Sequence, residues 1–169
     1  MIRKYSAADR EDVELLLRLG LEEQERHAAA SIPPENEEFF ETEWAEHIAG
    51  LDAEPEAWSV ATDASAAILG CLWLRTLRDP LGPYRSVREI VVAPKARGRG
   101  IGTALLMSAE AEARASDAVM LLISALKSNP AVRLYRRLGF VDLPGRFRAD
   151  PNPNHVVLWK NFKNVPGAI

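Results

Sequence analysis

Apolar residues recur at every third or fourth position in four stretches of the chain, a period that predicts amphipathic helices. The first helix begins after Ser6, which has Asp9 three residues later in the spacing of a capping box. Proline and glycine are expected to end helices: Ile32-Pro33-Pro34 the first, Gly50 the second and Gly139 the fourth. The predicted helices are the segment from Ser6 to that proline pair, Glu35–Ala49, Gly100–Ala115 and Pro130–Leu138.

Shorter runs rich in β-branched residues lie between these helices and predict seven strands. Asp63-Ala64-Ser65 predicts a turn after the second strand, whereas the breaker-rich segment Asp79–Pro83 predicts a loop before the fourth. The predicted strands are Ile2–Tyr5, Ala57–Thr62, Ala67–Leu77, Ser86–Val92, Val119–Leu126, Phe140–Leu143 and His155–Lys160, with a Pro/Asn-rich loop before the last. The order β-α-α-β-β-β-α-β-α-β-β predicts one α/β domain over residues 1–169 around a mixed sheet.

Composition narrows the class of protein. A chain of 169 residues that is 47% hydrophobic and 27% charged has the composition of a soluble globular domain. The single cysteine, Cys71, excludes a disulfide within the chain, and we expect a cytoplasmic protein. We expect no signal peptide and no membrane partner, because no apolar run approaches the ~20 residues of a membrane span. The net charge of -3 argues against binding to nucleic acid.

The charge is unevenly distributed along the chain. Twelve acidic residues but only one basic residue, Arg26, lie between Leu21 and Glu56, whereas ten basic and four acidic residues lie between Lys95 and Arg148. One interpretation is that the first region meets a cationic partner and the second an anionic one. The other is that both are solvated helix faces.

The segment Arg97–Leu106, RGRGIGTALL, joins a predicted strand to a predicted helix. Backbone N–H groups in the first turn of a helix have no intrahelical acceptor and form an anion site, and glycines let a phosphate approach them. A dinucleotide fingerprint would need glycine at Thr103, and a nucleotide P-loop would need lysine directly after Gly102. The sequence therefore favours another phosphate ligand, or a tight turn that binds nothing.

A third pattern fits these residues. Arg97-x-x-Gly100-x-Gly102, preceded by a strand that ends in Val91-Val92-Ala93-Pro94, resembles motif A of the GNAT superfamily of N-acetyltransferases. Ala131–Phe140 resembles motif B of that family, with its Leu-Tyr and Gly-Phe pairs, and the opening Ile2-Arg3 with Ser6–Asp9 is similar to common family openings. The resemblance implies a mixed, mostly antiparallel sheet of about seven strands, flanked by about four helices and splayed at the coenzyme A site.

The resemblance also implies acetyl-CoA as co-substrate, without a metal. The amides of motif A are expected to hold its pyrophosphate, and the strand before them to pair with its pantetheine arm. The family often has asparagine seven residues before the motif-B tyrosine, where this chain has Ser128, so the contact is assigned to the neighbouring Asn129. The implied binding residues are Ile90, Val91, Val92, Arg97, Gly98, Arg99, Gly100, Ile101, Gly102, Thr103 and Asn129.

In such a family the acceptor amine attacks the thioester directly in a ternary complex. By resemblance, Tyr135 is the acid that protonates the leaving thiolate, although its alternative is an aromatic ring packed on the sheet. Glu89 is the candidate general base. Its alternatives are ordered water as the base, or a solvent-facing or structural role for the carboxylate. Strand alternation places Glu89 on the face opposite Ser86 and Arg88.

The acceptor is expected to be a primary amine of a small molecule or peptide. The acidic stretch with Trp44 and Phe40, and the segment Thr76–Arg85 with Tyr84, predict an acidic, aromatic-lined groove for a cationic amine. The three histidines (His27, His47 and His155) lack metal-ligand spacing. Two alternatives stay open: an acyl-CoA sensor without turnover, and transfer of another acyl group. A homodimer also stays open.

Overall fold

A computed structural model of the chain describes residues 1–28, 37–144 and 154–163, with the side chains of 27, 28 and 37–40 excepted. The predicted proline break at Ile32-Pro33-Pro34, the start of the second helix at Glu35 and most of the Pro/Asn-rich loop lie outside the described residues. The side chains of His27 and Phe40 also lie outside them. In the described part, four α-helices are α1 (Arg10–Ala28), α2 (Glu37–Ala53), α3 (Ile101–Ala115) and α4 (Ala131–Arg137).

Seven strands form one mixed sheet in the order β1-β2-β3-β4-β5-β7-β6. They are β1 (Ile2–Lys4), β2 (Trp58–Thr62), β3 (Ile68–Asp79), β4 (Gly82–Val92), β5 (Met120–Leu126), β6 (Val141–Asp142) and β7 (His155–Asn161). The β4–β5 pairing is parallel, with Arg85 opposite Leu121 and Val87 opposite Ile123. The pairings of β1 with β2, β2 with β3, β5 with β7 and β6 with β7 are antiparallel. The predicted fold class and element order are confirmed.

The chain divides into two compact units, each made of two segments. The first unit comprises Met1–Trp73 and Glu89–Leu105, and the second comprises Leu74–Arg88 and Leu106–Ile169. Each is described by itself below, and the single domain over residues 1–169 stays a prediction.

The core of the first unit lies between its two long helices and the inner strands. Trp58 and Trp73 are fully buried and stack with ring centroids 5.0 Å apart and an interplanar angle of 12°. Helix α2 runs past Gly50 to Ala53, so the predicted helix end at Gly50 is wrong. A Cβ at Gly50 would collide with the Trp73 ring, and glycine is therefore needed there for close packing, not for a helix cap.

In the second unit, the β3–β4 connection differs from the prediction. The predicted loop Asp79–Pro83 is a two-residue turn, because Asp79 ends β3 and Gly82 begins β4. The Asp79 carboxylate accepts a hydrogen bond from the Leu81 amide at 2.8 Å, and Gly82 has a φ of 126° that favours glycine. The breaker residues shape a tight hairpin instead of ending the strands early.

Candidate functional site

The segment between β4 and α3 has an unusual backbone. Gly98 and Gly100 have φ angles of 71° and 80°, in the left-handed region that favours glycine. The Ala104 amide donates to the Gly100 carbonyl at 2.9 Å, which is the first helical hydrogen bond of α3. The amides of Ile101, Gly102 and Thr103 therefore lie in the first turn of α3, where the N–H groups have no acceptor within the helix.

This backbone fits a phosphate. A Cβ added at Gly98 or Gly100 would meet no described atom within 4 Å, so the side of the loop that these α-carbons face is open. Amides at the N-terminus of the fifteen-residue helix α3 combine their donors with the positive end of the helix dipole. A diphosphate group needs this combination of several donors and partial positive charge.

The two arginines of the loop have different surroundings. Arg97 donates to both carboxylate oxygens of Glu23 on α1, at 2.9 and 2.5 Å, and its Nε donates to the Val92 carbonyl at 3.1 Å. Its guanidinium thus ties α1 to the end of β4 within the first unit. Arg99 is exposed. The hydrogen bond from the Ser65 hydroxyl is the main cause that lowers the pKa of Asp63 below its usual value, and the charge of Arg99 lowers it further.

The end of β4 alternates between core and half-buried positions. Val91 is 5% exposed and packs in the core, whereas Ile90 and Val92 are half-buried. The amide of Ala93 donates to the Leu69 carbonyl on β3 at 2.9 Å. The predicted splay of β4 from its neighbour involves both units and stays a prediction.

Glu89 lies on the buried face of β4, opposite Arg88, as strand alternation predicts. Its carboxylate Oε2 lies 3.1 Å from Nε2 of His47 on α2, and its Oε1 accepts a hydrogen bond from the Ile90 amide at 2.8 Å. His47 is 3% exposed and Glu89 is 9% exposed. The alternative of a solvent-facing carboxylate is therefore wrong for Glu89, because its side chain points into the first unit.

The other nitrogen of the His47 ring, Nδ1, lies 2.5 Å from the Glu43 carbonyl. The ring centroid is 5.8 Å from that of Trp73 and 6.5 Å from that of Trp58. Burial of the ring acts to lower the pKa of His47, but the hydrogen bond and charge of Glu89, followed by Glu43, raise it above the usual 6.5. The pair is held in a largely apolar environment.

Sequence reasoning missed the role of His47, which it weighed only as a metal ligand. The available signal was the spacing Trp44, His47 and Leu51, which continues the apolar stripe of α2 and places His47 on its buried face. The Glu23–Arg97 ion pair was also missed, since its partners lie 74 positions apart.

In the second unit, Tyr135 is buried at 4% exposure, and its ring centroid lies 6.3 Å from that of Phe140. Its backbone carbonyl accepts the amides of Leu138 and Phe140 at the end of α4, where Gly139 has a φ of 87°. Asn129 is half-buried, and its side-chain oxygen accepts the Ala131 amide at 2.9 Å, which caps the start of α4. Asn129 thus has a structural contact besides the predicted one.

Several residues assigned to the predicted acceptor groove make contacts within their own unit. The Arg18 guanidinium lies 4.7 Å from the centre of the Trp44 ring, so a cation of the chain itself already occupies one face of that ring. Asp52 is paired with Arg10 in the first unit. In the second unit, Tyr84 is half-buried against the cluster of Val119, Met120, Leu143 and Trp159. These contacts reduce the acidic and aromatic surface that a cationic acceptor would use.

Within the described residues, no group of three or more His, Cys, Asp or Glu residues is arranged to hold a metal ion. No helix in the described ranges is long and apolar enough to cross a membrane.

The chain is similar in sequence to known proteins of one family. Residues 21–140 match the model of the acetyltransferase (GNAT) family. The chain is 36% identical over 92 residues to a mycothiol acetyltransferase of Pseudarthrobacter chlorophenolicus, a match that covers 52% of this chain and 28% of the relative. It is 29% identical over 123 residues to an IAA acetyltransferase of Azospirillum brasilense, covering 72% of this chain and 74% of that protein.

The fold is also similar to solved structures. The PaiA N-acetyltransferase of Thermoplasma acidophilum, in complex with coenzyme A, matches with a TM-score of 0.68 at 18% identity, over 96% of this chain and 98% of that chain. The chain spans less than a third of the mycothiol acetyltransferase named above.

Proposed function

Because the chain belongs to the acetyltransferase (GNAT) family, we propose that it transfers an acetyl group from acetyl-CoA to a primary amine of a small molecule or peptide. The observation that carries this proposal is the backbone between β4 and α3. Two glycines with positive φ, at each of which an added Cβ would meet open space, precede a helix whose first amides have no acceptor within the helix. That arrangement supports binding of the diphosphate that distinguishes coenzyme A from a simple thioester.

The proposed donor site uses backbone more than side chains. The amides of Gly98, Arg99, Gly100, Ile101, Gly102 and Thr103 hold the pyrophosphate. Arg99, which is exposed, adds a charged contact, whereas the Arg97 side chain stays with Glu23 and contributes its backbone. The backbone of Ile90, Val91 and Val92 pairs with the pantetheine arm, and the side-chain amide of Asn129 adds a contact.

The proposed chemistry is direct transfer. Acetyl-CoA supplies the acetyl group as a thioester. Glu89 accepts a proton from the acceptor ammonium, and the resulting amine attacks the thioester carbonyl carbon. A backbone N–H at the end of β4 stabilises the negative charge that develops on the carbonyl oxygen. The Tyr135 hydroxyl donates a proton to the sulfur as the carbon–sulfur bond breaks, and the resulting phenolate is restored by the second proton that the attacking nitrogen loses as the neutral amide forms.

We place this activity in the cytoplasm. Cys71 is fully buried, and burial, together with the charge of Glu89, raises the pKa of its thiol. A thiol held in its protonated form is a poor nucleophile and a poor disulfide former. This environment supports a protein that functions with its cysteine reduced.

The experiment that tests the proposal measures free thiol released from acetyl-CoA with a panel of amines, which includes polyamines, amino sugars, amino acids and peptides. Mass spectrometry of the acceptor identifies the acetylated product. We expect thiol release and acetylation with one amine class. Donor binding without thiol release from any amine would contradict acetyl transfer and favour an acyl-CoA sensor. Thiol release with succinyl-CoA but not with acetyl-CoA would contradict acetyl as the transferred group.

A further inference from the structure

We infer that His47 is a positioning residue for Glu89, and that the two side chains work as one unit that holds a single shared proton and takes it from the acceptor ammonium. This inference rests on the proposed function, in which Glu89 is the group that meets the acceptor. It adds a residue from helix α2 to a reaction that was otherwise assigned to β4, the motif-A loop and α4.

The hydrogen bonds determine which atoms carry protons. A carbonyl oxygen only accepts, so the contact of His47 Nδ1 with the Glu43 carbonyl requires a proton on Nδ1. A neutral imidazole then has a bare nitrogen at Nε2, which faces Glu89 Oε2 at 3.1 Å. A proton between these two atoms completes a hydrogen bond, whichever partner formally owns it. Without that proton, a lone pair faces a carboxylate oxygen.

The buried surroundings of the two side chains stabilise this shared proton. Both side chains are more than nine-tenths buried, so bulk water solvates neither charge well. The imidazole lies beside the stacked Trp58 and Trp73 rings, which make its surroundings apolar. The Ile90 amide fixes Oε1 of Glu89, which keeps the carboxylate aligned with His47. A shared proton neutralises the pair in a place where an unpaired carboxylate is costly.

Among the described residues, Glu43 and Cys71 are two further titratable groups that interact with the pair. On α2, Glu43 acts on His47 through its carbonyl and its charge. On β3, the Cys71 thiol responds to the charge of Glu89 and stays protonated. From α1 and β2 the core contributes apolar side chains: Val13, Leu16, Leu17, Trp58 and Val60. Glu89, followed by Glu43, is therefore the chief group that favours a proton on His47.

The proton balance of the step follows. Before the reaction the pair lacks its shared proton: Glu89 is a carboxylate, and His47 carries a proton on Nδ1 alone. An N–H bond of the acceptor ammonium breaks, the proton joins Glu89, and it comes to lie between Oε2 and Nε2. The acceptor nitrogen keeps the electron pair with which it attacks the thioester. The pair returns its proton to solvent before the next turnover.

The first arm of the test needs no activity. Side-chain NMR of the three histidines is followed against pH in the wild type and in Glu89→Gln, with the His47 signal assigned by its loss in His47→Gln. We expect the wild-type His47 midpoint above 6.5 and the Glu89→Gln midpoint below 6.5, because burial then acts without the carboxylate. The same midpoint in both proteins would overturn the shared proton.

The second arm measures kcat and KM against pH with the best amine found above. Since the active form lacks the shared proton, wild-type kcat should rise with pH around the NMR midpoint of His47. In His47→Gln, the amide still donates to Glu89 but takes no proton. We expect the rise in kcat to move to lower pH and kcat at neutral pH to fall about tenfold or more, with KM for acetyl-CoA unchanged.

His155→Gln is the matched control, because His155 lies on β7 of the second unit and has no place in the proposed site. It should keep the wild-type pH profile. A His47→Gln profile equal to that of the wild type would show that His47 is merely structural and would overturn the inference. If no amine gives turnover, the proposed function fails, while the NMR arm still decides whether His47 and Glu89 share a proton.

Discussion

The Asp9 side chain accepts several hydrogen bonds near the start of the first helix. It is 6% exposed, and its carboxylate accepts hydrogen bonds from both terminal nitrogens of Arg3, at 2.7 and 2.6 Å. The Ser6 amide and hydroxyl add two more, at 2.8 and 2.9 Å. The pKa of Asp9 is lowered from the usual 3.8 to about 2. The hydrogen bonds from Arg3 are the main cause, and those from Ser6 lower the pKa further. The capping box expected from Ser6 and Asp9 is confirmed, but Arg3 as its anchor was not predicted.

This pKa sets a pH dependence for stability. A depressed pKa in the folded state gives stability that is present above 3.8 and is lost as the pH falls toward 2. The shift corresponds to about 2 kcal/mol. We expect urea unfolding to show Asp9→Asn about 2 kcal/mol less stable than the wild type at pH 7, with the difference shrinking at pH values approaching 2.

The control for this experiment is Asp142→Asn. Asp142 pairs with Arg136, but its side chain is 59% exposed. Exposed pairs contribute less than about 1 kcal/mol, so this variant should lose little stability at any pH. An Asp9→Asn effect that stays constant down to acidic pH would contradict the assigned pKa.

Tyr135 carries a second prediction. Tyr135→Phe keeps the ring that packs near Phe140, so the melting temperature and the affinity for acetyl-CoA should stay close to those of the wild type. If the hydroxyl is the proposed acid, kcat should fall about a hundredfold, within the usual range for proton donors. Tyr5→Phe, a change at a half-buried tyrosine that also packs against a core cluster, is the matched control and should keep its kcat. An unchanged kcat in Tyr135→Phe would remove the residue from catalysis.

Single residues differ in how far the sequence reveals them. The buried side of Glu89 follows from alternation along one strand, which is a local property. Its partner His47 lies 42 positions away, and only the packing of α2 on the sheet brings the two together. The glycine-rich loop at Gly98 and Gly100 is a local feature of the sequence and was predicted. The ion pair between the Arg97 guanidinium and Glu23 joins distant positions and was not predicted.

Helices and strands were predicted well where their signals are local. Strand β5 and helix α3 begin and end within one residue of the predicted positions, because a continuous apolar run marks the strand and a regular apolar face marks the helix. The two failures both concern breaker residues. Gly50 was taken as a helix end and Asp79–Pro83 as a loop, because glycine and proline serve in caps, loops, tight turns and close contacts alike. Tertiary packing decides among these roles.

Gly50 provides a test of that interpretation. Alanine is favoured over glycine inside a helix by about 1 kcal/mol, so propensity alone predicts that Gly50→Ala stabilises the protein. Because the new methyl group would collide with the Trp73 ring, we expect destabilisation of about 1–3 kcal/mol in urea unfolding instead. Ala49→Gly, at the exposed neighbouring position, should cost only about 1 kcal/mol. A stabilised Gly50→Ala protein would refute the packing role.

For the molecule as a whole, sequence patterns alone give the list of elements but not their arrangement. The insertion of β7 between β5 and β6 joins segments that are far apart in the chain, and no local period encodes it. The family resemblance through motifs A and B supplied the expectation of a mixed, mostly antiparallel sheet, and the fold confirms it. The acceptor stays a proposal because it depends on side chains whose surroundings no motif specifies.

The amides around Gly100 are proposed to bind the diphosphate of acetyl-CoA. Titration calorimetry of acetyl-CoA with Gly100→Asn tests this binding, because asparagine tolerates positive φ while its side chain enters the open space beside the loop. Gly139→Asn, at a similar φ outside motif A, controls for backbone strain.

We predict that the wild type and Gly139→Asn bind acetyl-CoA with similar affinity and that Gly100→Asn binds it at least about tenfold more weakly, a loss of about 1.4 kcal/mol. Circular dichroism should show that both variants keep the native fold. A folded Gly100→Asn protein with wild-type affinity, or a wild type that does not bind acetyl-CoA, would contradict the account.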